Sequence, residues 1–144
     1  MSSSKINFFF IDVKFSLRNR TKIKNFILRV FEKEQREVAF INYIFCSDKY
    51  LLKINSKYLG HDFYTDILTF DLSNYLFVSA EIYISIDRVK ENSREYKTSF
   101  TSELMRVMFH GVLHLCGYKD QTRLQISLIR KKEEVLLKSW SRFT

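Results

Sequence analysis

Apolar residues recur along this chain in two rhythms, one of strands and one of helices. Residues 6–13 (INFFFIDV) form a nearly unbroken apolar run of strand length, and residues 38–47 (VAFINYIFCS), rich in β-branched and aromatic side chains, predict a second strand. Two further strands are predicted at residues 66–73 (DILTFDLS) and 80–87 (AEIYISID), separated by a polar-aromatic loop around Asn74. Elsewhere the spacing is helical. Ile23, Phe26, Ile27, Val30 and Phe31 mark one face of a basic helix over residues 17–34, and Ser47 can cap a second running to about Tyr58. A short helix is predicted over residues 88–96, a strong one opening at Ser99 or Thr101 and ending at Cys116, and a last basic one from Thr122 to about Trp140. The order β, α, β, α, β, β, α, α, α groups strands early and helices late, which predicts an α+β domain rather than alternating βαβ units. Sheet order is not contained in the pattern. Phe8, Phe9 and Phe10, inside the first strand, are read as core rather than as a stacking platform for bases.

The 144 residues, 46% of them hydrophobic, suit one domain spanning 1–144. There is no proline, no Gly/Ser-rich linker and no internal repeat to mark a boundary. The first apolar run is too short to cross a bilayer and follows no cleavable signal pattern, so a cytoplasmic protein without a membrane partner is expected. Cys46 and Cys116 are too few for a disulfide framework and form no CxxC pair, and both are read as buried thiols.

Charge changes the picture more. The net charge is +8, with nine Lys/Arg against three acids in residues 1–36, six against two in residues 121–144, and nine against eleven between them. A basic excess raises the expectation of a polyanionic partner, although solvated charged faces produce the same count.

The chemistry concentrates in HGVLHLCGYKD, residues 110–120. At about 100° per residue, His110 and His114 lie about 40° apart and one turn, ~5.4 Å, apart in height. Glu103 and Arg106 share their stripe, within an otherwise apolar helix whose buried polar groups need partners. Gly117 can take the left-handed conformation that ends a helix, and Asp120 can then close a metal site from the returning loop. Two histidines, a carboxylate and an open fourth position make a catalytic rather than a structural zinc arrangement. A pair of satisfied histidines shows the same spacing, so the pattern alone leaves both readings open. Zinc proteases of the HExxH type have a glutamate where this chain has Gly111, so a peptidase reading lacks its base. Gly111 is instead expected to leave open space beside the metal.

HGVLHLCGYKD resembles the signature HGxLHLxGYDH of the YbeY family of rRNA maturation endoribonucleases, through His110, Gly111, Leu113, His114, Leu115, Gly117 and Tyr118. Lys119 stands at the family's aspartate, and Asp120 at its third histidine. INSKYLGHDFYTDILTF resembles LNxxYRxKDxPTDVLSF with Asn55, Tyr58, Asp62, Thr65, Asp66, Leu68 and Phe70 in register, and AEIYIS, with Glu81, resembles GDIxIS. The resemblance covers residues 52–120 or so. Leu59 departs from an arginine thought to engage RNA phosphate, and His61 stands where the family has lysine and is read as an exposed loop residue.

The resemblance implies a small mixed sheet of about four strands packed against helices, with the metal-binding helix near the C-terminus. It also implies a Zn²⁺-dependent endoribonuclease for single-stranded RNA, working on the ribosomal small subunit in late rRNA 3′-end maturation and in ribosome quality control, with no DNA substrate. His110, His114 and Asp120 would hold one Zn²⁺, or another divalent ion given Asp120. Arg106, Asp66, Thr65 and Lys119 are candidates for substrate binding, and no residue stands out as a catalytic base. The competing readings are a non-catalytic RNA-binding or ribosome-assembly module and a hydrolase of another substrate.

Overall fold

The computed structural model describes residues 4–143, so the expected span 1–144 lies outside the described residues at 1–3 and 144. Strands β1 (Ile6–Ile11), β2 (Glu37–Cys46), β3 (Ile67–Asp71) and β4 (Phe77–Ser85) form one sheet in the order β1-β2-β4-β3. β1 and β2 are parallel, as are β2 and β4, whereas β3 runs antiparallel to β4. Helices α1 (Arg20–Lys33), α2 (Asp48–Leu59), α3 (Ile86–Glu95), α4 (Phe100–Leu115) and α5 (Arg123–Arg142) complete a single α+β domain. Among the described residues, no helix is long and apolar enough to cross a membrane.

The central strands explain the strand-like runs in the sequence. β2 and β4 have neighbours on both sides, and their side chains Ile41, Tyr43, Phe45, Ile82 and Ile84 are fully buried. The register sets Phe8, Tyr43 and Ile82 in one row across the sheet. On that face lies α4. The Tyr43 hydroxyl donates to the carbonyl of Met108, 3.2 Å away, tying the sheet to the middle of this helix. β1 is an edge strand, so the three phenylalanines do not share one environment: Phe8 and Phe10 pack against the core, while Phe9, on the opposite face, is 48% exposed. The expectation of core for all three was therefore too broad.

Local chemistry sets the helix starts. Ser47, Ser85 and Ser99 each accept a hydrogen bond from the backbone N–H three residues on, and Thr122 forms a reciprocal capping box with Gln125. Ser85 ends β4 and caps α3 at once, so that helix opens at Ile86, two residues before its apolar pattern suggests. Leu17 is buried ahead of α1, and Asn19, at φ 59°, redirects the chain before the first turn at Arg20.

At Gly111 α4 lies close against the sheet. A Cβ placed there would meet Ile82 Cδ1 at 3.1 Å and Ile67 Cδ1 at 3.2 Å. The expected open space beside the histidines is thus filled: the residue is glycine because the helix lies directly on β3 and β4. Gly111→Val is expected to overpack this contact and cost about 1–3 kcal/mol, measured by urea unfolding.

Candidate metal centre

Three local features assemble the histidine site. The helix puts His110 and His114 on successive turns. Gly117, at φ +99°, then ends it: its N–H donates to the His114 carbonyl at 3.0 Å, and the Tyr118 N–H reaches the Leu113 carbonyl at 3.0 Å. The chain doubles back and brings Asp120 Oδ2 to 3.4 Å from the Nε2 atoms of both histidines, which are 2.9 Å from each other. Ligand atoms of a tetrahedral ion bonded at about 2.0–2.1 Å lie ~3.3–3.4 Å apart, so these spacings fit a shared divalent metal, with the imidazole pair slightly tight. Among the described residues, His110, His114 and Asp120 form the one group of this kind.

Behind the histidines lies a buried charge network. Glu133, on α5 and only 2% exposed, sits with Oε2 2.5 Å from His110 Nδ1. Its Oε1 accepts from Arg106 Nη1 at 3.0 Å, while Arg106 Nε and Nη2 donate to the buried Glu103 at 2.9 and 2.7 Å. Burial pushes the Glu133 carboxyl up, but hydrogen bonds from His110 and Arg106 outweigh it and hold it below the ordinary carboxylate range. An ionised carboxylate only accepts, so His110 donates from Nδ1, and in the neutral imidazole this leaves Nε2, the nitrogen facing His114 and Asp120, as the one with the lone pair.

Glu133 was not identified from the sequence. Its signal was there: α5 packs Ile129, Leu136, Leu137 and Trp140 against the core, and Glu133 interrupts that apolar stripe.

The site opens into a cleft of about 390 Å³, lined by Thr65, Asp66 and β3 on one side and by His110, His114 and Asp120 on the other. The Thr65 hydroxyl donates to the Ile67 carbonyl at 3.2 Å, shaping the turn into β3. Asp66 accepts from Asn92 Nδ2 at 3.3 Å and lies 3.8 Å from Arg106 Nη2. Burial raises its carboxyl, against the lowering influence of Arg106 and His110. The two predicted substrate residues Thr65 and Asp66 therefore reach the cleft. Arg106 stands behind it, its guanidinium engaged by carboxylates, and Lys119 is exposed on the Asp120 loop without lining it. Leu59 is exposed at the end of α2, and His61 is an exposed loop residue stacked on Phe63. Burial pushes the thiols of Cys46 and Cys116 up to about 12, so both remain protonated at neutral pH.

The family model described as Endoribonuclease YbeY matches residues 10–141. The chain belongs to the YbeY family. It is 46% identical to the Endoribonuclease YbeY of Flavobacterium psychrophilum over 127 residues, which cover 88% of this chain and 91% of that protein. The Cytophaga hutchinsonii YbeY is 44% identical over 138 residues, covering 95% and 96% of the two chains. Among solved structures, the solution structure of TM1509 from Thermotoga maritima matches with a TM-score of 0.61 at 27% identity, over 94% of this chain and 92% of the other. The YbeY assignment thus extends well beyond the segment in which the resemblance was first visible.

Asp66 yields a stability test. Because its folded carboxyl is raised above the unfolded value, ionising it costs stability, and the cost appears as pH rises through the raised value. In metal-free protein, Asp66→Asn is expected to gain stability relative to wild type as pH rises above about 4, followed by thermal unfolding.

Proposed function

We propose that this YbeY-family chain is a metal-dependent endoribonuclease specific for single-stranded RNA, acting in late 3′-end maturation of small-subunit rRNA and in ribosome quality control. The observation that carries the reading is the convergence of His110, His114 and Asp120 at one mouth of a cleft, with the buried carboxylate of Glu133 against His110. The endoribonuclease names of its relatives support the substrate class.

His110, His114 and Asp120 would hold one Zn²⁺. When bound, such an ion acts as a Lewis acid on a phosphoryl oxygen or acidifies a water. The remaining work falls to the chain. Glu133 and Arg106 position His110 and keep its Nε2 free of a proton. Thr65 and Asp66 flank the space where the scissile linkage would lie, and Lys119, exposed on the Asp120 loop outside the cleft lining, would meet a flanking phosphate only beyond it. Arg106 is accordingly assigned to positioning rather than to direct substrate contact.

The test joins metal analysis to RNA cleavage on the same preparations. Wild type is expected to carry about one Zn²⁺ per chain and to cut single-stranded RNA, whereas folded His114→Ala retains neither. Stoichiometric metal without cleavage of any RNA would instead favour a non-catalytic ribosome-assembly module. The anionic Asp120 lowers the charge of a divalent ion with its ligands from about +2 to about +1. Asp120→His is therefore expected to move the activity optimum to lower pH, by on the order of one unit. Superimposable pH profiles from the two fully loaded proteins would contradict this.

A further inference from the structure

The cleft poses an electrostatic problem. Its lining contains three carboxylates, Asp66, Asp71 and Asp120, and no lysine or arginine. Arg106, half-buried behind the cleft, is already engaged by Glu103 and Glu133. Polyanion affinity comes mainly from cations that displace counterions from phosphates, so this cleft cannot by itself supply it.

The missing charge is gathered elsewhere. The two basic ends of the sequence form α1 and α5, and the fold sets them side by side, with Phe26 of α1 against Trp140 of α5 at 5.4 Å between ring centroids. Between them runs a groove of about 680 Å³ carrying Arg29 and Lys33 from α1 and Lys132 and Arg142 from α5. None of these four cations pairs with a carboxylate among the described residues. Glu34, the one acid in the groove, accepts the Tyr118 hydroxyl at 3.2 Å. Phe26, Val30, Leu113, Leu136 and Phe143 give the groove an apolar lining between these cations.

Groove and cleft flank the end of α4. Leu113 lines the first, and His114 and Leu115 line the second. The loop after the helix bridges them: Tyr118 meets Glu34 at the groove, and Asp120, two residues later, faces the metal position.

We propose that the α1/α5 groove is an RNA-binding site separate from the metal cleft, which holds the phosphate backbone of the strand whose neighbouring segment enters the cleft. This rests on the RNA substrate proposed above.

The test measures binding of a short mixed-sequence single-stranded RNA by fluorescence anisotropy over a range of salt, with and without added Zn²⁺. Wild type is compared with Arg29→Gln/Lys33→Gln/Arg142→Gln, with the charge-conserving Arg29→Lys/Lys33→Arg/Arg142→Lys, and with Lys49→Gln/Lys53→Gln/Lys90→Gln on exposed faces of α2 and α3. The groove neutralisation is expected to weaken binding about ten-fold or more and to reduce the slope of log affinity against log salt by about 2, at ~0.7 per lost contact. The conservative and remote variants keep wild-type behaviour, and all variants bind Zn²⁺ alike. Unchanged RNA affinity in the groove variant, an equal loss in the remote variant, or no RNA binding by wild type each overturns the proposal. So does loss of a polyglutamate peptide, but not of RNA, from the groove variant, which would assign the surface to an acidic protein partner. Groove-dependent binding by a wild type that cuts no RNA keeps this site and removes the nuclease reading. Wild-type cleavage with unchanged affinity in the groove variant does the reverse.

Discussion

The contact between Glu133 and His110 is the constraint on which the centre depends. A carboxylate in the interior is costly unless it is paired and fully hydrogen-bonded, and breaking such a pair from one side typically costs about 3–5 kcal/mol. Glu133 meets the condition through His110 on one oxygen and Arg106 on the other. Arg106 in turn satisfies the buried Glu103. Each member of the chain is tolerable in the interior only because the next is in place, so α5 must dock on α4 in one register.

That docking links the fold to its chemistry. α5 contributes no direct ligand to the metal position, yet it decides which nitrogen of His110 faces that position. On the other side of α4, Gly111 lets the helix settle onto Ile67 and Ile82, fixing the height of both histidines against the wall of β3. The glycine at 117 closes the set by sending the chain back so that Asp120 arrives from outside. Helix, sheet and loop each remove one freedom from the same three candidate ligand atoms.

Much of this was legible before the structure. All nine elements stood in the apolar rhythm, and the α+β class followed from their order; the histidine spacing, the glycine stop and Asp120 marked the site. What could not be read depends on partners distant along the chain. Sheet order β1-β2-β4-β3 is set by pairing that periodicity does not encode. Gly111 was misread because a missing side chain can mean empty space or close approach, and only the facing isoleucines distinguish them. Phe9 looked like its neighbours because an edge strand and a central strand share an apolar run. Glu133 passed as one more charge in a basic helix, since its partners His110 and Arg106 lie 23 and 27 residues earlier in the sequence, on another helix. The union of two basic ends into one groove likewise appears only once α1 and α5 are adjacent.

The most direct measurement of the central claim is the Zn²⁺ affinity of Glu133→Gln against wild type, by competition with a chromogenic chelator at neutral pH, on protein shown to be folded. An amide of the same shape can donate as well as accept, so it no longer dictates which His110 nitrogen holds the proton. The account predicts affinity about 10–100-fold weaker, with His110, His114 and Asp120 all still present. Affinity equal to wild type would contradict it.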